Sequence, residues 1–270
     1  MMKSVGFGIV VASVLCLVLA SAGTARAQNQ IADSFDDWST DGEQGALGWY
    51  NGWYNLSEDE LNGDGVYEAD DFQEFFNEFG PGGGAVTPAG NHWSGTVWDL
   101  DGAGAPWSLL GQSTVHPNGT NNGDEHWVIR RWVVEGDALP DAAIVWQMAE
   151  ENLAGSGVTG KLFVNDEEVE SIAIAGGDAV GVRSIVQVPL VPGDIVDLAL
   201  TPVGLSGDTA DGSDGSINRL TIYDGVPDTD ADGVNDLEDN CVSAPNPGQE
   251  DQDDDGLGDV CDNCPEVSNP

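Results

Sequence analysis

Basic residues are scarce in this sequence. Seven Lys and Arg stand against 48 Asp and Glu, which gives a formal net charge of −41 at pH 7 over 270 residues. Nucleic acids and anionic lipid surfaces repel such a chain, because they carry the same sign of charge. The composition therefore excludes nucleic acid as a partner, and it predicts that bound cations offset the self-repulsion of the folded protein.

Long apolar runs are also nearly absent, and the single exception, residues 5–20, lies at the N-terminus. Lys3 precedes it and Ala25-Arg26-Ala27 follows it, which is the pattern of a secretory leader with a signal peptidase site. We expect residues 1–27 to be a signal peptide and the mature chain to begin at Gln28. An uncleaved N-terminal anchor is the alternative. No later stretch could span a bilayer, so the sequence predicts a secreted, extracellular or cell-surface protein with no membrane span after cleavage.

Cysteine is rare, with four in the chain and one of them, Cys16, inside the leader. Three remain in the mature protein: Cys241, Cys261 and Cys264. An odd number of cysteines in an exported chain implies an unpaired thiol or a partner elsewhere.

The remaining sequence divides into two regions of different composition. Residues 28–224 contain all nine tryptophans, and residues 225–270 are dominated by Asp, Asn, Pro and Gly. The first region alternates apolar and polar residues in short β-branched segments, separated by turns such as Asn165-Asp166, and only residues 69–79 have a helical period. The predicted strands are 143–148, 161–164, 169–175, 183–190, 195–200 and 217–223. This pattern predicts an all-β fold, a jelly-roll-like β-sandwich followed by an irregular segment.

The acidic segment repeats itself with a shift of 23 residues. The matched pairs are Asp228 and Asp251, Asp230 and Asp253, Asp232 and Asp255, Gly233 and Gly256, Asp236 and Asp259, Asp239 and Asp262, Asn240 and Asn263, and Cys241 and Cys264. Agreement at so many positions identifies an internal repeat. A disordered acidic tail is the alternative, although disorder gives no reason to keep a register.

The spacing within each copy suits Ca²⁺, which takes six to eight oxygen ligands. Carboxylates at loop positions 1, 3 and 5 converge when glycine at position 6 turns the chain, position 7 offers its carbonyl, and positions 9 and 12 complete the shell. The first predicted ligand set is Asp228, Asp230, Asp232, the Val234 carbonyl, Asp236 and Asp239. The second is Asp251, Asp253, Asp255, the Leu257 carbonyl, Asp259 and Asp262.

Residues 228–270, with the pattern D-x-D-x-D-G-x-x-D-x-x-D-N-C, resemble thrombospondin type 3 repeats. The resemblance implies a chain wound around Ca²⁺ ions, a disulfide between Cys241 and Cys261, and a role in adhesion or in the extracellular matrix. On the same pattern the partner of Cys264 would lie beyond Pro270, so we expect the array to be truncated. The alternative for Cys261 and Cys264 is a redox or zinc-binding C-x-x-C, which acidic neighbours disfavour.

A second candidate loop lies at residues 60–71, which resemble a single dockerin or EF-hand-like loop. Its predicted ligands are Glu60, Asn62, Asp64, the Val66 carbonyl and Asp71, and residues 69–79 would form the exiting helix. Glu60 departs from the pattern, because Asp is usual at position 1. The alternative is a β-hairpin turn at Asp64-Gly65, with the following phenylalanines in the core.

The aromatic segments at residues 49–54, 91–93 and 126–132 could bind carbohydrate, because aromatic faces stack on sugar rings. Residues 31–223 resemble in architecture the jelly-roll sandwiches of secreted carbohydrate-binding modules. The alternative is that most of these tryptophans belong to the core. No catalytic motif such as G-x-S-x-G occurs, and we expect a non-enzymatic protein. The resemblance to thrombospondin type 3 repeats implies a calcium-dependent adhesion or matrix role, with cell-surface or matrix glycans or proteins as candidate partners. The competing function is an accessory carbohydrate-binding part of a secreted polysaccharide-degrading enzyme.

Overall fold

A computed structural model describes residues 29–59, 63–80, 84–87, 90–102, 104–253 and 255–269. The predicted signal peptide, and Glu60 and Asn62 of the second candidate loop, lie outside these ranges. Within them, no helix has the length and apolar character needed to cross a membrane.

The described chain contains thirteen β-strands and three short 3-10 helices. The strands are β1 Gln30–Asp33, β2 Trp49–Asn55, β3 Gln73–Glu74, β4 Trp98–Asp99, β5 Leu109–Leu110, β6 Thr114–His116, β7 His126–Val133, β8 Leu139–Glu150, β9 Thr159–Val164, β10 Glu167–Ala173, β11 Val182–Leu190, β12 Ile195–Thr201 and β13 Ser216–Asp224. The 3-10 helices are Ala46–Gly48, Ala69–Asp71 and Thr120–Asn122. The predicted all-β class is confirmed, and each of the six predicted strands corresponds to one of β8 to β13.

The strands form two antiparallel sheets. The first has the order β11-β8-β13-β6-β5-β4, with β1 also paired to β13, and the second has the order β10-β9-β12-β7-β2-β3. The main core lies between them and contains Trp98, Trp146, Leu198 and Ile222, all at most 1% exposed. The predicted jelly-roll-like sandwich is therefore correct.

Each sheet also buries part of its outer face, because alternate residues of a strand point to opposite sides. On β8, Ile144 and Trp146 enter the main core, whereas Ala143 and Val145 form a separate outer cluster with Ile185. We call this outer cluster on the first sheet the docking patch. Leu56, Tyr67 and Phe72 cover part of the outer face of the second sheet in the same manner.

The helix expected at residues 69–79 is wrong. The chain forms one 3-10 turn at Ala69–Asp71 and then pairs Gln73 with Trp53 as an edge strand. The four phenylalanines do not share one buried face. Phe72 packs on the cluster around Tyr67 on the outer face of the second sheet, and Phe75 is fully buried in the main core. Phe76 and Phe79 are exposed. Tertiary pairing therefore overrides the local helical period.

Candidate metal centres

Two loops after β13 each gather three carboxylates at one point. Within each loop, one oxygen from each of the three aspartates lies within 4.8 Å of the others. The groups are Asp228, Asp230 and Asp232 in the first loop, and Asp251, Asp253 and Asp255 in the second. The predicted convergence of positions 1, 3 and 5 is therefore present in both copies.

Glycine at position 6 makes this convergence possible. Gly233 and Gly256 have φ of 97° and 96°, a left-handed conformation that side chains disfavour. Their N–H groups donate to the position 1 carboxylates of Asp228 and Asp251, each at 3.0 Å. The repeated geometry holds the first carboxylate over the turn.

The position 5 carboxylate is held by two backbone donors. Asp232 Oδ1 accepts the N–H of Val234 at 2.9 Å, and its Oδ2 accepts the N–H of Asn246 at 2.6 Å. In the second loop Asp255 accepts the N–H groups of Leu257 at 3.0 Å and Asn269 at 2.8 Å. These bonds fix the orientation of the position 5 carboxylate in each loop.

The position 12 aspartates act on the same centres. Burial, followed by the negative charges of Asp232, Asp239 and Asp228, raises the pKa of Asp230. Asp230 is thus surrounded by charge of its own sign.

The central aspartate of the second loop has the same surroundings. Burial and the charges of Asp255, Asp262 and Asp251 raise the pKa of Asp253. Four carboxylates therefore repel one another in each loop.

Several of these oxygens are buried without a hydrogen-bond partner. In the second loop they are both oxygens of Asp253, Oδ1 of Asp251 and Oδ2 of Asp262, and in the first loop Oδ2 of Asp230. A buried carboxylate oxygen without a donor is costly, and a hard divalent cation is the ligand that would satisfy several at once. The residues present therefore fit Ca²⁺.

The position 9 aspartates face the loop backbone. Asp236 Oδ1 accepts the Thr229 N–H at 2.7 Å, and Asp259 Oδ1 accepts the Gln252 N–H at 2.8 Å. These bonds brace the loops. Direct ligation of an ion by Asp236 and Asp259 remains a prediction, which these contacts do not favour.

The predicted disulfide between Cys241 and Cys261 is present, with an S–S distance of 2.06 Å. Beside it, Gln249 accepts the Asn240 N–H at 2.7 Å and donates to Asp239 Oδ1 at 2.8 Å. The disulfide links the end of the first loop to the end of the second. Cys264 is free and exposed.

The first loop also rests on the sandwich, a contact that sequence reasoning missed. Arg183 on β11 forms an ion pair of 2.8 Å with Asp236, whose side chain is fully buried. Leu237 and Val226 pack against the docking patch together with Tyr223. Because these contacts join residues some 50 positions apart, no local pattern predicts them, although an arginine among so many acids was a signal to follow.

The second candidate loop is partly visible. Asp64 Oδ1 accepts the Val66 N–H at 2.9 Å, and Asp71 Oδ2 accepts the Glu68 N–H at 2.9 Å. Sequence reasoning missed Asp59, which is 6% exposed and accepts the Gly65 N–H at 2.7 Å through Oδ2. Burial and the charges of Asp59 and Asp71 raise the pKa of Tyr54, which lies against this loop.

The aromatic segments are mostly structural. Trp93, Trp98 and Trp146 are at most 1% exposed, and the other tryptophans of the aromatic segments are buried or half-buried. One tryptophan, Trp107, is 47% exposed, and its backbone N–H donates to Oδ1 of the buried Asn118 at 2.8 Å. The surface that could stack on a sugar is therefore centred away from the segments that the sequence singled out.

No curated protein matches this sequence. Among solved structures, the chain is similar to a family 35 carbohydrate-binding module from Clostridium thermocellum, at 14% identity and a TM-score of 0.25, covering 36% of this chain and 70% of that one. It is also similar to CBM51 from Clostridium perfringens GH95, solved in complex with methyl-galactose, at 15% identity and a TM-score of 0.28, with coverages of 48% and 81%. CBM35 from Cellvibrio japonicus Abf62 gives 17% identity and a TM-score of 0.26, with coverages of 46% and 81%. These similarities are too distant to identify a ligand for this chain.

The acidic segment matches a known repeat family. Residues 227–249 and 249–270 each match the family model of the thrombospondin type 3 repeat. The match covers the two loops, the disulfide and the free cysteine described above. The C-terminal segment of this chain therefore consists of two thrombospondin type 3 repeats.

Proposed function

We propose that this chain is a secreted calcium-binding protein in which Ca²⁺ structures the two repeats as a spacer that presents the β-sandwich. The observation that carries the proposal is the convergence of three carboxylates in each loop, where one buried oxygen of the first loop and four of the second lack a hydrogen-bond donor. Thrombospondin type 3 repeats are calcium-binding repeats, and the match agrees with this chemistry. The signal peptide expected at residues 1–27 and the disulfide support an extracellular location, because disulfides persist in oxidising compartments.

The three aspartates that converge in each loop would hold the ions, together with the position 7 carbonyl and the position 12 aspartate that the loop spacing predicts. The first ion would take side-chain oxygens of Asp228, Asp230, Asp232 and Asp239 with the Val234 carbonyl. The second would take Asp251, Asp253, Asp255 and Asp262 with the Leu257 carbonyl. When bound, Ca²⁺ supplies positive charge and oxygen coordination at the point where four carboxylates meet. The protein contributes the glycine turns and backbone donors that aim those carboxylates.

Isothermal titration of the whole chain, stripped of metal, tests the proposal. We expect Ca²⁺ to bind at two or more sites per chain. We expect Mg²⁺ to compete poorly, because it demands a rigid octahedral shell and dehydrates reluctantly. Heat no different from dilution into buffer would refute calcium binding by the repeats.

The proposed spacer would be rigid at its first repeat, because that repeat is packed against the sandwich. Arg183 pairs with Asp236, which braces Thr229 in the first loop, and Leu237 packs against the docking patch. An ion that orders the first loop would therefore also stabilise this contact. Such an attachment would fix the direction of the spacer, as an adhesion or matrix protein requires.

We expect Ca²⁺ to raise the melting temperature of the sandwich by about 2 to 4 °C, which corresponds to about 1 kcal/mol of coupling in a domain of this size. Leu237→Ser removes the apolar contact with the docking patch, so the variant should lose this increase. Tryptophan fluorescence measures it directly, because all nine tryptophans lie in the sandwich region.

Val260→Ser is the matched control, because Val260 is 61% exposed in the second repeat. It should keep the full effect of Ca²⁺ on melting. An equal effect of Ca²⁺ in the wild-type protein and in Leu237→Ser would mean that the repeats and the sandwich are not coupled through this contact.

A second candidate function is carbohydrate binding, as a non-catalytic module that could also accompany a polysaccharide-degrading enzyme. Trp107 favours it, since a large aromatic face is exposed while its backbone is fixed by Asn118. We expect Trp107→Ala to weaken binding to any glycan found on an array by about ten-fold or more, through lost stacking. Leu205→Ala, at a side chain 67% exposed, is the control. A glycan that binds both variants equally well would place its site elsewhere.

A further inference from the structure

The loop that begins at Asp59 repeats the hydrogen-bond pattern of the two calcium repeats. Gly65 has φ of 74°, as Gly233 has 97°, and in both loops this glycine donates its N–H to an earlier aspartate. The next residue, Val66, donates its N–H to Asp64 Oδ1 at 2.9 Å, as Val234 does to Asp232 Oδ1 at 2.9 Å.

This correspondence changes the register of the loop. The aspartate that receives the glycine N–H is Asp59, six residues before Gly65, whereas Asp228 lies five residues before Gly233. The part of the loop before the glycine is thus one residue longer on the sandwich, and Asp59 accepts the glycine N–H there as Asp228 does in the first repeat. Asp71 follows Gly65 by six residues, the same spacing as between Gly233 and Asp239.

The loop also holds a buried carboxylate oxygen without a donor. Asp59 is 94% buried, as its 6% exposure implies, and its Oδ1 has no hydrogen-bond partner among the described residues. The hydroxyl of Tyr54, which is 1% exposed, is buried beside the same carboxylate, and the charges of Asp59, Asp71 and Asp64 act on it. A buried carboxylate and a buried hydroxyl therefore face the same acidic centre, where a cation would satisfy the carboxylate.

The second half of the loop is fixed to the sheet beneath it. The Ala69 N–H donates to Asp166 at 3.0 Å, and the Ala69 carbonyl accepts from Arg131 at 2.8 Å. Arg131 is itself held by Asp197 at 2.7 Å, which also accepts the Tyr67 hydroxyl at 2.7 Å. These bonds anchor the chain two residues before Asp71 to the sandwich, and Arg131 is engaged with Asp197.

We propose that Asp59, Asp64 and Asp71, with the Val66 carbonyl, bind a further Ca²⁺ ion on the outer face of the second sheet. The described carboxylates of this loop do not form a group of three within 4.8 Å, as the repeats do. The ion must draw Asp64 inward, and we expect weaker binding than in the repeats. This site is independent of the repeats, because it lies in the sandwich and shares no residue with them.

Terbium, which replaces Ca²⁺ and emits light when a nearby aromatic ring transfers energy to it, tests the proposal. Tyr54 contacts the loop and lies 5.3 Å from Trp127, while residues 228–270 contain no aromatic residue. We use the full chain carrying Asp230→Asn and Asp253→Asn, which disables the repeats. We expect sensitised emission to persist in this chain and Ca²⁺ to displace it.

Adding Asp59→Asn should weaken terbium binding by about ten-fold or more, because the site loses a charged ligand. Glu58→Gln, at the exposed neighbouring carboxylate, should leave it unchanged. Circular dichroism checks the fold of each variant, and if Asp59→Asn does not fold, Asp64→Asn at the exposed face of the loop should give the same loss.

Absence of sensitised emission in the repeat-disabled chain would overturn the proposal, as would emission that Asp59→Asn and Asp64→Asn leave unaltered. Calorimetry on the wild-type chain separates the two sets of sites. If the repeats do not bind Ca²⁺, calorimetry should show no tight sites. If only the site at Asp59, Asp64 and Asp71 does not exist, calorimetry should show the tight sites without the weaker one.

Discussion

Asp253→Asn is expected to weaken Ca²⁺ binding in the second repeat by about a hundred-fold, since a ligand at the centre of the shell loses its charge. Both oxygens of Asp253 are buried without a hydrogen-bond donor. No other aspartate in the repeats has both oxygens in this state among the described residues, so none depends so completely on the ion. Calorimetry should show loss of the second site with the first retained.

The same substitution should have the opposite effect when the metal is removed. Burial and the charges of Asp255, Asp262 and Asp251 raise the pKa of Asp253, so its ionised form is disfavoured in the folded loop. A raised pKa means that the neutral form stabilises the folded loop as the pH falls, and asparagine mimics that neutral form at pH 7. In chelator, the second repeat of the variant should therefore exchange its amide hydrogens more slowly than the wild type.

Glu266→Gln removes one charge from an exposed position of the same repeat and is the control. It should alter neither calcium affinity nor hydrogen exchange. If Asp253→Asn lowered protection both with and without Ca²⁺, the buried carboxylate would have a structural role unrelated to an ion, and the calcium proposal would lose its main support.

The parts of the structure that the sequence predicts are those with short-range causes. The β-branched residues Ile185, Val186 and Val188, which lie between turn signals at 176–178 and 192–194, predict β11, because such residues favour strands. The 23-residue repeat predicts the convergence of Asp228, Asp230 and Asp232, because glycine at position 6 and the loop spacing together dictate the turn.

The parts that the sequence does not predict depend on contacts between distant residues. Residues 69–79 have a helical period, but the pairing of Gln73 with Trp53 and the burial of Phe75 in the main core determine their structure. The part of Asp59 in the loop on the sandwich escapes the sequence for a related reason. The loop spacing does not single it out, and only the hydrogen bond from Gly65 shows that its carboxylate belongs to the loop.

The contact between Arg183 and Asp236 is another that the sequence does not predict. The spacing makes Asp236 a metal ligand at position 9, whereas the structure gives its carboxylate to Thr229 and to Arg183 of the sandwich. A residue can satisfy a motif and still serve a different partner, because a motif records spacing and contains no information about the neighbouring domain. The repeats and the sandwich are therefore joined by one of the residues that define the repeat.

Glu150, at the end of β8, is expected to make the sandwich less stable as the pH rises. It is 3% exposed, its Oε1 has no hydrogen-bond partner among the described residues, and its Oε2 accepts only a long bond of 3.4 Å from Ser216. Burial, followed by the charges of Asp214 and Asp178, raises its pKa to about 7. The folded protein therefore holds a proton there that the unfolded chain releases near pH 4.5.

The sign of the effect follows from this difference. Below the unfolded pKa both states are protonated and no stability is lost, whereas stability falls as the pH rises toward 7, because folding must then retain or recover a proton. The loss should reach about 2 to 3 kcal/mol above pH 7, or about 5 to 10 °C in melting temperature. His126 acts in the opposite direction at lower pH, because burial lowers its pKa to about 4, so the wild-type profile alone is not decisive.

Comparison with Glu150→Gln isolates the carboxylate, since His126 is common to both proteins. With Ca²⁺ in constant excess, the two melting temperatures should be similar near pH 4.5, and the variant should melt about 5 to 10 °C higher at pH 8. Glu151→Gln, at the exposed neighbour, should follow the wild type at every pH. A difference in melting temperature between Glu150→Gln and wild type that stays constant from pH 4.5 to 8 would show that Glu150 is ionised throughout. Its buried charge would then be compensated by a cation or by hydrogen-bond donors.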